Sequence, residues 1–231
     1  NERTAKIYGD HCLLTSDRFI MADVNRIFNY LEQPKTRISL LRACKTLLVS
    51  PVTLRRQLVQ LIDKEIKAAN SKKTAAITLK LNSLSDELLI DKLYDAAKAG
   101  VEIKMVIRGI FCMLTENKKL KIPIQAISIV DEYLEHARVM IFYNGGKEKV
   151  YISSADWMLR NLNHRVEVTC PIFEKNIQSE IKDIVHIQLA DNTKARKLDN
   201  ALSNQYVNPR NTKKVRSQVE IYNYLYRKLS T

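Results

Sequence analysis

Candidate chemistry in this sequence centres on His136. This histidine opens an apolar run that ends at Tyr143, and a small polar cluster, residues 153–156, follows at the end of the next apolar run. Arg165 and Glu167 come later, two positions apart, so alternation along a strand would place them on one face. Histidine can move a proton or carry a phosphoryl group, arginine binds phosphate oxygens, and a carboxylate can orient an imidazole. The set therefore indicates phosphoryl chemistry.

A purely structural role stays open for His136 and for a second candidate, Arg108. A single histidine at the beginning of a strand is usually a polar edge residue, and the spacing from His136 to Arg138 favours function without deciding it. Arg108 directly follows the predicted strand 102–107, at the edge where ligands gather in open α/β sheets. The adjoining Gly109 would let a ligand approach the backbone, but Arg108 could also be a solvated loop arginine.

Hydrophobic patterning predicts the elements that must position these residues. It predicts strands at 12–14, 75–81, 102–107, 124–130, 137–143, 150–153 and 165–169. It predicts helices from Asp17 to about 31, from Ser50 to about 66, and at 85–99, 177–189 and 215–229, with irregular basic segments at 35–45 and 191–214. The strand–helix–strand order from 75 to 107 predicts a right-handed βαβ unit. The fold class is therefore a mixed α/β sheet flanked by helices, with the candidate site at strand ends.

Composition narrows the class of protein and of partner. The 231 residues could form one large or two small domains, and 45% hydrophobic residues suffice for real cores. The net charge of +13 indicates a polyanionic partner, and charge alone does not rank nucleic acid, phosphate polymers, nucleotides and anionic membranes. The four cysteines are not spaced for zinc, which predicts free, mostly buried thiols in a reducing compartment. Without a spanning apolar run or a signal peptide, we expect a cytoplasmic protein, with peripheral membrane association left open.

A weak internal repeat relates the beginning of the chain to the candidate site. Residues 1–14 align with residues 158–171 without a gap, so that Tyr8 matches Arg165. The chain also begins at Asn1 rather than at a methionine. Together these features predict two similar halves that face each other, with most of the first half preceding Asn1 in a larger protein.

The candidate residues also carry a resemblance to a known family. His136-x-Arg138, Ser153-Ser154-x-Asp156 and Arg165-x-Glu167 together resemble the phospholipase-D-type motif, which has lysine where Arg138 stands. The sequence resembles one branch more closely, the bacterial polyphosphate kinases of the long-chain-synthesising type. The blocks that carry this second resemblance are Asn1–Asp10, Leu47–Pro51, Ile77–Asn82, Val106–Gly109, Ala126–His136, Tyr151–Met158 and Leu202–Val207.

This resemblance implies an activity and a division of the chain. The family reversibly transfers the terminal phosphate of ATP to inorganic polyphosphate with Mg2+, using two facing phospholipase-D-like halves that each hold a histidine. Residues 1–45 would be the end of a truncated first half, and residues 46–231 the complete second half. The phosphorylated histidine and the Mg2+ ligands would lie outside this fragment, which we therefore expect to hold no metal ligand and to be inactive alone.

The resemblance also implies roles for individual residues. Tyr8, Arg108 and His136 would bind ATP, and His136 would also be catalytic, as acid/base or electrostatic partner of the missing phosphohistidine. Three further residues would bind phosphate or support the site, and one of them, Glu167, could orient an imidazole. These three are Arg138, Arg165 and Glu167.

Partners and alternative functions complete the expectations. The expected partners are ATP or ADP and inorganic polyphosphate, with no nucleic acid, and the intact protein would be a homo-oligomer. One alternative is a phosphodiesterase or nuclease of the phospholipase-D type, which Arg138 in place of lysine disfavours. The other is a basic module that binds polyanions without catalysis, as the fragment alone could do.

Overall fold

The computed structural model of the protein describes Arg3 and residues 10–34, 37–207 and 213–230. Its strands are β1 (Leu48–Val49), β2 (Ala76–Leu81), β3 (Glu102–Ile107), β4 (Gln125–Ile129), β5 (Arg138–Phe142), β6 (Lys149–Ser153), β7 (Val168–Ile172) and β8 (Ala195–Lys197). Its helices are α1 (Arg18–Glu32), α2 (Ile38–Arg42), α3 (Leu54–Asn70), α4 (Glu87–Ala99), α5 (Leu159–Asn163), α6 (Lys175–Leu189) and α7 (Ser217–Leu229).

The eight strands form one mixed sheet in the order β1-β7-β6-β5-β2-β3-β4-β8. β2, β3 and β4 pair in parallel, and the other neighbouring strands pair antiparallel. Alternation along β5 sends Met140 and Phe142 into the core under α3 and α4, and Val139 and Ile141 into a second core under α6. Helices therefore cover both faces, and the predicted mixed α/β sheet flanked by helices is confirmed.

Local signals account for the βαβ unit from β2 to β3. The side chain of Asp86 accepts a hydrogen bond from the backbone N–H of Leu89 and caps the first turn of α4. Gly100 ends α4 with φ +103°, a left-handed conformation that glycine adopts without steric cost. β2 and β3 then pair in parallel from Ala76 opposite Glu102 onward, which confirms the predicted strand–helix–strand order.

The reversal between β5 and β6 is a short 3₁₀ segment, Asn144–Gly146. Gly145 and Gly146 both have positive φ, at 66° and 85°, which explains the glycine pair at this reversal. The reversal sets Arg138 opposite Ser153 in the antiparallel ladder. This register brings the two ends of the candidate motif to one edge of the sheet.

Asp23 of α1 fixes the segment that leads into β1. Its side chain is buried, and its Oδ2 accepts hydrogen bonds from the backbone N–H groups of Lys45, Thr46 and Leu47 at 2.7–3.0 Å. A buried carboxylate needs such partners to offset its lost hydration. α1 is thereby attached to the edge of the sheet.

Several local predictions are wrong. The predicted strand 12–14 is absent, and residues 11–17 have no regular secondary structure. The segments 35–45 and 191–214, predicted to be irregular, contain α2 and β8, which at five and three residues are too short to stand out in the sequence. Two of the four cysteines, Cys12 and Cys112, are exposed rather than buried, since they lie in irregular segments.

The predicted strand 165–169 begins later than expected. β7 starts at Val168, and the residues before it bond to the segment after β1 instead of to a strand ladder. Ser50 donates through Oγ to the carbonyl oxygen of Arg165 and through its backbone N–H to that of Glu167. Arg165 and Glu167 therefore lie in the loop between α5 and β7 and are not placed by strand alternation.

Candidate functional site

The candidate residues line one open cavity of about 740 Å3. It lies at the edge of the sheet where β2, β3 and β6 end and where β5 and β7 begin. Five of the six residues predicted from the sequence line it: Arg108, His136, Arg138, Arg165 and Glu167. The sixth, Tyr8, lies outside the described residues.

His136 lies directly before β5, between a carboxylate and a guanidinium. Asp10 Oδ2 is 2.8 Å from Nδ1 of the imidazole, a distance that suits an N–H donated to the carboxylate. Arg138 approaches both ring nitrogens, with Nη1 3.1 Å from Nδ1 and Nη2 3.2 Å from Nε2. Because a guanidinium has no acceptor, it contacts the ring without competing for the proton on Nδ1. The arrangement orients the imidazole.

Arg138 is itself held by a buried ion pair. Its Nη2 donates to Asp156 Oδ2 at 2.9 Å, and both side chains are buried. The other oxygen of Asp156 accepts from the backbone N–H groups of Asn82 and Ser83, at 2.8 and 3.0 Å. The bonds to Asp156 offset part of the hydration that the buried pair loses, whereas Nε of Arg138 is buried without a hydrogen-bond partner among the described residues. Arg138 is thus anchored from the loops that follow β6 and β2.

Arg108 and His136 are linked through a single side-chain amide. The Nε of Arg108 donates to Asn82 Oδ1 at 3.0 Å, and Asn82 Nδ2 donates to the carbonyl oxygen of His136 at 3.1 Å. Arg108 is only partly buried and lines the cavity. Within the described part of the chain, no carboxylate forms a salt bridge with Arg108. Its guanidinium is therefore available to an anion in the cavity.

Lys80, which the motif-based analysis missed, holds the chain on both sides of His136. Its Nζ donates to the carbonyl oxygen of Ala137 at 2.9 Å and is 3.8 Å from the carboxylate of Glu135. Burial lowers the pKa of Lys80, and the carboxylate of Glu135 partly offsets that effect. The signal in the sequence was a lysine inside the apolar run of β2. In a strand covered on both faces, a lysine is buried and therefore needs hydrogen-bonding or ionic partners.

Arg165 and Glu167 occupy the opposite side of the cavity. The carboxylate of Glu167 is buried and accepts hydrogen bonds from Ser154 Oγ and from Asn161 Nδ2, the latter at 2.7 Å. The guanidinium of Arg165 is 4.0 Å from Glu167 and half exposed. Glu167 thus ties two loops together, while Arg165 presents a solvated positive charge to the cavity.

Two family models cover most of this chain. The model of polyphosphate kinase C-terminal domain 2 matches residues 47–218, and that of C-terminal domain 1 matches residues 1–37. The chain belongs to the polyphosphate kinase family. The resemblance inferred from the sequence blocks is therefore confirmed.

Individual polyphosphate kinases agree with this assignment. Those of Vibrio cholerae and Escherichia coli K12 are 46% and 44% identical to this chain over 225 residues, which is 97% of the chain. The crystal structure of polyphosphate kinase from Porphyromonas gingivalis aligns with 93% of the chain at 40% identity, with a TM-score of 0.87. This chain spans only 32% of the length of each of these three polyphosphate kinases.

The described residues of this family member contain neither a cluster of metal-ligating side chains nor a membrane-spanning helix. Among the described residues, no three His, Cys, Asp or Glu side chains are grouped so that they could hold a metal ion. The helices in the described ranges are all too short or too polar to cross a membrane.

Proposed function

We propose that the protein to which this chain belongs reversibly transfers the terminal phosphate of ATP to inorganic polyphosphate. The observation that carries the proposal is the convergence of His136, Arg108 and Arg138 in one cavity of a polyphosphate kinase family chain. Arginines beside a histidine suit a phosphoryl group, whose charge they can stabilise during transfer. Residues 1–45 would close the first catalytic half, and residues 46–231 would form the second.

The cavity supports a division of roles among its charged groups. Arg108 and Arg165 would contact phosphate oxygens, since each lines the cavity with its guanidinium partly exposed. Arg138 would act indirectly, because its Nη2 is bonded to buried Asp156 and its guanidinium lies against the ring of His136. His136 would serve as acid/base or electrostatic partner of a phosphohistidine in the first half.

The remaining participants come from outside the described residues. Tyr8 would contact the nucleotide. The resemblance implies that the Mg2+ ligands lie outside this chain, and none of the roles given to its residues depends on them. ATP or ADP and polyphosphate would be the partners of a cytoplasmic homo-oligomer.

The test compares the full-length protein with the 231-residue chain in polyphosphate synthesis from ATP and Mg2+. We expect synthesis by the full-length protein, none by the chain alone, and at least about a hundredfold loss in full-length His136→Ala, the lower end of a general acid–base contribution. His186→Ala is the matched control, because this exposed histidine on α6 does not line the cavity. Full turnover by His136→Ala would refute the assignment, and hydrolysis of phosphodiesters instead of synthesis would favour the phospholipase-D-type alternative.

A further inference from the structure

A second concave surface lies on the opposite face of the sheet from the catalytic cavity. It has a volume of about 370 Å3 and lies between α3 and strands β1, β6 and β7. Ile152 and Cys170 are paired across β6 and β7 and line the cavity, whereas the next pair, Tyr151 and Pro171, lines this second surface. Because successive side chains point to opposite faces, the two sites are separated by the sheet itself.

Three lysines dominate this surface, which we call the lysine groove: Lys45, Lys64 and Lys149. The groove is lined by no aspartate and no glutamate among the described residues. The salt bridges within the described ranges also leave all three ammonium groups without a carboxylate partner. Three like charges in one concave surface repel one another and attract an anion.

The acidic residues nearest in sequence do not neutralise the lysine groove. Asp63, which precedes one groove lysine, forms a 2.8 Å salt bridge with Lys92 of α4. Glu148, which precedes another, forms a 2.5 Å salt bridge with Lys182 of α6. Both carboxylates are thus engaged by lysines that lie outside the groove. Glu65, which follows Lys64, is buried away from the groove lining and accepts the backbone N–H groups of Ala76 and Asn144.

The inner end of the lysine groove carries a desolvated charge and a neutral donor. Burial, and then the nearby charge of Lys64, lower the pKa of Lys149, and the negative charge of a bound anion would oppose that shift. Tyr151 is buried, and burial raises the pKa of its phenol further above its ordinary value, so the hydroxyl is a neutral donor at neutral pH. Thr46 and Gln60 add neutral polar groups to the lining.

We propose that the lysine groove binds a linear chain of phosphate groups at a site separate from the catalytic cavity. Ammonium groups without carboxylate partners bind phosphate as point charges, and hydroxyl donors complete its hydrogen bonds. Free polyphosphate and the triphosphate of a nucleotide share this chemistry. Binding here goes beyond the proposed function and can be measured apart from turnover, because the groove contains no residue assigned to catalysis.

Calorimetric titration of the full-length protein with inorganic tripolyphosphate tests the proposal. We expect Lys64→Glu/Lys149→Glu to lose one class of sites or to weaken it at least about tenfold, because two attractive charges become repulsive. Lys67→Glu/Lys118→Glu is the matched control, since both of its lysines are exposed, lie outside the groove and give the same change in net charge. If both double variants lose the same affinity for tripolyphosphate, the loss reflects the overall charge of the protein and the proposal is overturned.

The single variant Lys64→Gln tests the groove with a substitution that should not disturb folding. Lys64 is exposed on α3, so its replacement should leave the circular dichroism spectrum unchanged and weaken tripolyphosphate binding severalfold. His136→Ala should keep groove binding while losing turnover, which separates this site from the proposed activity. If Lys64→Gln binds tripolyphosphate as the unmodified protein does, the groove is not the site.

Competition experiments identify the source of the phosphate chain. Equal affinities for tripolyphosphate and ATP would mean that only phosphates are recognised. Tighter binding of ATP than of tripolyphosphate would indicate an additional contact between the base and Phe173, which is half exposed and lines the groove. Displacement of tripolyphosphate by a single-stranded oligonucleotide at much lower concentration would overturn the proposal in favour of nucleic acid.

Discussion

The buried ammonium of Lys80 donates a 2.9 Å hydrogen bond to the carbonyl oxygen of Ala137. The same nitrogen is 3.8 Å from the carboxylate of Glu135, so one group in β2 holds both chain neighbours of His136. Gln188 and Gln218 donate to the two oxygens of that carboxylate, which connects the network to α6 and α7. The position of His136 therefore depends on a lysine that does not contact the imidazole.

Lys80→Met should impair both stability and turnover. Removing one member of a buried pair leaves Glu135 without its cation, which costs about 2–4 kcal/mol in the free energy of unfolding. Turnover by the full-length protein should fall at least tenfold, with His136 displaced. Lys104→Met is the control, because its ammonium pairs with Glu102 at the surface, where such a pair contributes less than about 1 kcal/mol. Wild-type turnover by Lys80→Met would contradict the positioning role.

Arg138→Lys restores the lysine of the phospholipase-D-type motif and should still lower activity. A single ammonium group can reach Asp156 or the ring of His136 but cannot span both as the guanidinium does. We expect turnover to fall about tenfold, equivalent to about 1.4 kcal/mol of transition-state stabilisation, with the KM for ATP little changed. Steady-state kinetics measure both values, and a gain of phosphodiester hydrolysis would instead show that this position selects the reaction.

Asn82 variants should separate the placement of Arg108 from that of His136. Asn82→Ala removes both hydrogen bonds, so we expect the KM for ATP to rise about tenfold and kcat to fall. Asn82→Asp keeps an acceptor for Arg108 Nε but cannot donate to the carbonyl of His136. It should therefore keep the KM near that of the unmodified protein while lowering kcat. An unchanged KM in Asn82→Ala would contradict the placement of Arg108 by Asn82.

Asp191→Asn should make the attachment of α7 weaker in a pH-dependent manner. Buried Asp191 accepts the backbone N–H groups of Lys194 and Ala195 through Oδ1 and that of Ser217 through Oδ2. Burial alone would raise the pKa of Asp191, but these hydrogen bonds together hold it below its ordinary value of 3.8. The carboxylate thus contributes stability above pH 3.8 and loses it as the pH falls through the folded-state pKa.

Urea unfolding measures this effect at neutral pH and at a pH below 3.8. Asp191→Asn should lower the free energy of unfolding by about 1–3 kcal/mol at neutral pH, because a buried N–H loses its acceptor. The difference in the free energy of unfolding between the unmodified protein and Asp191→Asn should become smaller at the acidic pH. Asp95→Asn is the control, since its carboxylate is exposed and pairs with Lys98 on the same helix. A difference that does not change with pH would argue against the charge of Asp191.

The candidate site was largely predictable because its residues lie next to elements with strong local patterns. Arg108 follows β3 directly, and Arg138 begins β5, so patterning alone placed both at strand ends. The assignment of Arg165 to a strand failed because Ser50, 115 positions away, binds its backbone. Lys80 was missed because a lysine within the apolar run of β2 indicates a buried, paired ammonium only once β2 is known to be central and covered on both faces.

The sequence by itself determined the elements that depend on neighbouring residues, and it carried the membership in the polyphosphate kinase family. The βαβ unit is the clearest example, since apolar periodicity, the cap at Asp86 and the stop at Gly100 are all local. Only the tertiary structure decided that β5 pairs with β2, which brings His136 beside Asn82 and Arg108. Strand order depends on contacts between distant segments, and hydrophobic periodicity reports which side of a strand is buried without naming its neighbour.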